Sequence, residues 1–212
     1  MATGKSVLLE GLRGKIGNLV FYRVGEELRI RSKSNHYRDA KTPGQQAQRS
    51  RVKGVAALYN GLSSQLSVYW KEQCIGTNLT GYNLFMRSNI RHVGSDGSLL
   101  NPQDLVVAQG TLPQPASVKA KITSQGVLRL AWDAKTADYE NTTDRLCIAV
   151  YAPNKEEAPR IWIVESTSVE RNAGAFDWSI PRDITGPFYL YGFFKSKLTN
   201  DISTSFYLGA VE

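Results

Sequence analysis

Basic side chains recur at every second position in the run Leu28-Arg29-Ile30-Arg31-Ser32-Lys33. In an extended strand, alternate residues point to opposite faces. This spacing puts Arg29, Arg31 and Lys33 on one face and Leu28 and Ile30 on the other. A row of cations is chemistry for an anion, because each neutralised backbone phosphate releases counterions. An acidic protein surface offers the same complementarity. Lys15, Arg23, Arg49, Arg51 and Lys53 lie near enough in the chain to extend the stripe into a candidate binding surface, with Arg38 and Lys41 beside them. Tyr22 and Tyr37 supply rings for stacking on single strands. Glu26 and Glu27, at the tip of the expected hairpin, oppose deep insertion into a groove.

The charge is local. Residues 1–55 hold twelve basic and four acidic side chains, a net of +8, while residues 56–212 are close to neutral at −1. A basicity confined to one quarter of the chain points to a job confined there too. The rest of the composition is that of a globular protein, 42% hydrophobic and 21% charged. No apolar run reaches 18 residues, so no membrane-spanning helix is expected. The first 17 residues lack the apolar core of a secretory signal, and a cytoplasmic location is expected, with release as part of a particle equally compatible.

The remaining constellations point away from catalysis. Gly4-Lys5-Ser6 echoes the end of a phosphate-binding loop but lacks the preceding glycine and strand. Gly11, Gly14 and Gly17 have the wrong spacing for a dinucleotide loop and read as tight turns. His36 and His92 have no serine or cysteine frame for nucleophilic catalysis. Asp138 with Glu140, and Glu156 with Glu157, are paired acids in expected loops, where solvation is the ordinary role. Cys74 and Cys147 read as two buried hydrophobes, and with two distant histidines they make no zinc site. Asn78 and Asn141 begin glycosylation sequons that read as loop residues. The expectation is therefore no enzyme, no cofactor, no metal and no small-molecule substrate.

The elements that must position the stripe are legible from periodicity. Residues 18–33 read as a β-hairpin turning around Gly25. Thr42-Pro43 with Gln45 is a helix start, and the helix should run over 43–60 with Val52, Val55, Tyr59 and Leu62 inward. Gly61 breaks or weakens it. A second helical pattern carries Leu66, Tyr69 or Trp70, and Cys74 inward, and a third spans 82–90. Gly and Pro punctuate 94–116, read as a linker with a short strand at 105–108. Strands then follow at 117–123, 127–133, 145–152, 160–166, 175–180, 188–195 and 204–211. Seven short strands with turns between them predict an antiparallel β-sandwich. The run 188–194 is apolar on both faces, which predicts a central strand. The fold class is α+β: a basic hairpin-plus-helical domain over 1–93, a linker over 94–116 and a sandwich over 117–212. Trp132 followed by a Tyr-rich late strand resembles a fibronectin type III domain.

The Gly11/Gly14/Gly17 pattern with Asn18 and Val20, the Arg29-Ile30-Arg31-Ser32 strand, the Thr42-Pro43…Gln48-Arg49 helix start and Gly81-Tyr82-Asn83-Leu84-Phe85 together resemble an uncharacterised family common in Bacteroidetes. The resemblance covers the whole chain. It implies a basic N-terminal module followed by an immunoglobulin-like domain, and it carries no activity or catalytic residue. The lack of catalytic residues and the open edges of the expected hairpin lead instead to a non-catalytic structural, assembly or protein-binding role through the basic surface. Nucleic acid or another polyanion is the alternative partner.

Overall fold

The computed structural model describes residues 2–4, 11–25, 27–33, 39–135, 143–153, 158–182, 184 and 186–211. Within these the chain is α+β, with three α-helices and three antiparallel sheets. It forms two compact units, Met1–Thr42 with Gly76–Asn78, and Pro43–Ile75 with Leu79–Glu212.

The first unit is a four-stranded sheet of β1 (Ala2–Gly4), β2 (Gly14–Ile16), β3 (Leu19–Val24) and β4 (Glu27–Ser32), in the order β1-β4-β3-β2. The expected hairpin is β3 and β4. Val24 faces Glu27 across a turn at Gly25, whose φ of 61° suits glycine. A second hairpin precedes it, with Ile16 opposite Leu19 and Gly17 turning at φ 57°. The glycine-rich segment thus supplies an edge strand where tight turns alone were expected. Glycine's poor strand propensity hid it.

The second unit begins with α1 (Pro43–Asn60), α2 (Ser64–Glu72) and α3 (Gly81–Asn89). Ser63 and Thr80 cap α2 and α3, their hydroxyls accepting from the N–H groups of Leu66 and Asn83. Among the described residues no helix is long and apolar enough to cross a membrane. The strands follow as β5 (Val118–Ile122), β6 (Val127–Trp132), β7 (Arg145–Ala152), β8 (Arg160–Glu170), β9 (Ala175–Ser179), β10 (Phe188–Lys195) and β11 (Phe206–Val211). They make one sheet ordered β11-β10-β7-β8 and another ordered β5-β6-β9.

Alternation along β7 and β10 builds two cores. Leu146, Ile148 and Val150, with Leu190 and Phe194, pack against Leu128, Leu130, Trp132 and Trp178 of the three-stranded sheet. Cys147, Ala149 and Tyr151, with Tyr191 and Phe193, pack on the opposite side against Val55, Leu58, Leu66, Trp70 and Phe85 of the helices. The unit is thus layered: helices, four-stranded sheet, three-stranded sheet. This explains why β10 is apolar on both faces, and it is indeed an inner strand.

The compact units do not follow the 1–93, 94–116 and 117–212 division read from the sequence, because the helices share a core with the sheet. Residues 94–116 lie inside the second unit, and Leu105, Val107 and Ala108 are buried there. No strand forms at 105–108. Side chains, with single backbone bonds to Pro102 and Ser205, satisfy its backbone instead of a ladder. Asn89 accepts from the Val106 N–H at 2.9 Å and donates to its carbonyl at 3.1 Å. Trp70 Nε1 donates to the Val107 carbonyl at 2.9 Å, and the Ser205 hydroxyl accepts from the N–H groups of Val107 and Ala108.

Candidate functional site

The register of the N-terminal sheet decides which cations share a face. Val20 stands opposite both Lys15 on β2 and Arg31 on β4, while Tyr22 stands opposite Arg29. Directly opposed residues point the same way. Lys15, Arg29 and Arg31 therefore lie on one face with Val20 and Tyr22, and Lys33 continues that alternation. Lys33 is held beside the first hairpin by its N–H donating to the Asn18 carbonyl at 2.7 Å. Lys15, Arg31 and Lys33 are exposed. Along β4 the cations repeat at about 7 Å, and Lys15 and Arg31 are two strands apart at about 10 Å.

Arg23 lies on the other face. It is paired with Leu28, so it shares that face with Phe21 and Ile30. It is half-buried there, and its Nε finds no hydrogen-bond partner. Arg29 is partly neutralised, because its guanidinium pairs with Glu27 at 3.0 Å. The helical cations belong to the other compact unit. Arg49 and Lys53 are exposed one turn apart on α1, whereas Arg51 lies one turn before buried Val55 and is half-buried. The eight candidates therefore do not form one stripe on a single element. Lys15, Arg29, Arg31 and Lys33 are the subset the sheet brings together.

The opposite face of the same sheet carries the signal that sequence reading missed. Ile16 and Leu19 stand directly across from each other and are 58% and 45% exposed. Leu28 is the buried hydrophobic residue among those described in this unit. Two unlike faces, one cationic and one apolar, meet at β2, an edge strand of the sheet among the described residues. The signal was present in the spacing of Ile16, Leu19 and Phe21 but needed the β2–β3 pairing to be read.

Lys5, Ser6, His36, Tyr37, Arg38, Asp138, Glu140, Asn141, Glu156 and Glu157 lie outside the described residues. His92 closes a 3-10 turn over Ile90–His92. Cys74 and Cys147 are both buried. Among the described residues no group of three metal-ligating side chains gathers.

The fold and this two-faced sheet define an α+β protein with three antiparallel sheets among the described residues. By its sequence the chain belongs to a family of unknown function (DUF6266), whose model matches residues 11–209. No curated protein and no solved structure matches it.

Proposed function

We propose that this is a non-catalytic structural or assembly protein that docks through its N-terminal sheet onto a protein partner or a second copy of itself. The observation that carries this reading is the exposed Ile16–Leu19 pair, which joins edge strand β2 to the start of β3. Apolar pairs on an unpaired edge are where another chain adds a strand or packs a side chain. The cations of the adjoining face would set the orientation and speed of docking. Support for a fibronectin type III-like sandwich comes from the strand orders β5-β6-β9 and β11-β10-β7-β8 and from the core between them. In this reading the sandwich is a spacer or second binding surface, and the protein works in the cytoplasm or in a particle released from it.

Size-exclusion chromatography with light scattering on the full chain, together with native pull-down, tests the reading. The expected result is an oligomer or a stable complex that Ile16→Glu and Leu19→Glu disperse. A strict monomer at high concentration, with no partner retained, overturns it.

Lys15, Arg29, Arg31 and Lys33 on one face favour polyanion binding as the second reading. A salt series with mixed-length DNA and RNA tests it. Affinity indifferent to salt and to charge reversal at Arg29 and Arg31 rules it out.

A further inference from the structure

We propose that a pocket of about 350 Å³ at one end of the helix-covered face of the four-stranded sheet binds an oxyanion, the phosphate or carboxylate group of a small ligand. Gln65 and Tyr69 of α2, Arg145 of β7, Ser166 of β8 and Lys195 of β10 line it.

The register sets two like charges against each other. Arg145 and Lys195 are direct cross-strand partners on inner strands of the sheet. Like charges so placed destabilise a sheet unless something lies between them. Among the described residues no carboxylate comes within ion-pair distance of either. Glu170, opposite Arg145 on β8, is the nearest candidate by register. Its carboxylate is committed elsewhere, to Lys197 at 3.6 Å and to the Asn172 amide at 3.3 Å.

The polar groups around this pair are left with donors to give. Lys195 Nζ donates to the Tyr69 hydroxyl at 3.3 Å and lies 4.9 Å from the centre of its ring. Gln65 Nε2 donates to the same hydroxyl at 3.1 Å. A phenol that accepts twice has its lone pairs occupied and keeps its own proton to donate. The Lys195 ammonium has donors beyond the one it spends on Tyr69, and the Arg145 fork meets no acceptor side chain. The Ser166 hydroxyl, touched weakly by the Cys147 thiol at 4.0 Å, adds another donor. A group that only accepts and carries negative charge satisfies all of these at once, and a guanidinium beside an ammonium suits it. Binding would also relieve the repulsion between Arg145 and Lys195, so it should stabilise the fold.

The test is titration of the full chain with sodium phosphate and with sodium acetate, against sodium chloride at matched ionic strength, read by calorimetry and melting temperature. Phosphate should bind and raise the melting temperature above the chloride control. Arg145→Gln and Lys195→Gln should each weaken binding by roughly tenfold or more. Lys121→Gln, on exposed β5, should leave it unchanged. Arg145 is exposed, so its variant keeps the test sound if Lys195→Gln fails to fold. A phosphate preference points to a phosphorylated ligand and an acetate response to a carboxylate, and either supports the site. No stabilisation beyond chloride, or binding indifferent to Arg145→Gln, overturns it.

Discussion

The Arg171 guanidinium lies 3.2 Å from the Asp144 carboxylate, and both side chains are 1% exposed. Arg171 also sits over the Phe194 ring, 4.2 Å from its centre. Burial pushes the Asp144 carboxyl up and the Arg171 guanidinium down from their usual ranges, and each partner's charge pulls the other back. The pair is tolerable only as a pair. Asp144→Ala or Arg171→Ala should cost about 3–5 kcal/mol by stranding a buried charge, while Asp144→Leu with Arg171→Met should recover most of it. Urea denaturation of the three variants checks this. The exposed pair Arg129–Asp177, at 3.6 Å, is the comparison, and Asp177→Ala should cost less than about 1 kcal/mol.

Trp132 is a second probe of the same core. It is 7% exposed, packs edge-on to Phe194 at 5.6 Å and donates from Nε1 to the Arg171 carbonyl at 2.7 Å. Trp132→Ala should cost about 3–5 kcal/mol. A loss under about 1 kcal/mol in thermal or chemical unfolding would contradict this placement.

Two glycines on α1 should respond in opposite directions to the same change. A Cβ on Gly54 would come 2.1 Å from the Gly97 carbonyl oxygen, whereas one on Gly44 meets nothing within 4 Å. Gly54→Ala must push α1 off the 94–97 loop and should destabilise by about 1–3 kcal/mol. Gly44→Ala should stabilise by up to about 1 kcal/mol through helix propensity. Melting temperatures of the two variants separate the effects.

Cys147 makes stability depend on alkaline pH. Burial pushes its thiol up to about 11 from 9.0, against smaller opposing effects of the Ser166 hydroxyl and the Lys195 charge. A thiol whose folded pKa is the higher one favours the fold while protonated. Its contribution is whole below about pH 9 and disappears as pH rises through about 11, amounting to about 3 kcal/mol. Cys147→Ala should therefore show a shallower alkaline decline than the unaltered chain in urea midpoints taken across that window. Equal slopes would move the effect to the buried tyrosines.

Face specificity tests the N-terminal sheet. If a polyanion binds there, Lys15→Glu and Arg31→Glu should each weaken binding and lower the salt slope by about 1. Arg23→Glu, on the apolar face, should leave the slope unchanged. Equal effects from all three would mean nonspecific attraction to net charge.

Much of the architecture was legible because periodicity is local. The span of α1, the hairpin of β3 and β4 and the two-faced apolar run of β10 all follow from side-chain spacing. What escaped depends on pairings distant in sequence. Edge strand β2 is rich in glycine, and only its register with β3 turns Lys15 toward Arg31 and Ile16 toward Leu19. Arg23 looked like part of the stripe because charge was read without the strand partner. Leu105–Ala108 resembled a strand by composition, yet the acceptors and donors for its backbone come from Asn89, Trp70 and Ser205. The meeting of Arg145 with Lys195 joins segments fifty residues apart, and no spacing rule reaches that far.

The layering has a consequence for synthesis. The helices are complete in sequence by Asn89, but both inner strands of the sheet they cover are made only when β10 ends at Lys195. A ribosome adding about 5–20 residues per second leaves their apolar sides without a complete native core for roughly 5–20 seconds. During that interval the nascent chain presents Val55, Leu66, Trp70 and Phe85 to whatever holds apolar segments near the exit tunnel. Translation halted before Phe188 would leave three helices lacking an inner strand of the sheet they pack on, so truncated products should be drawn to chaperones and proteases far more than the finished chain.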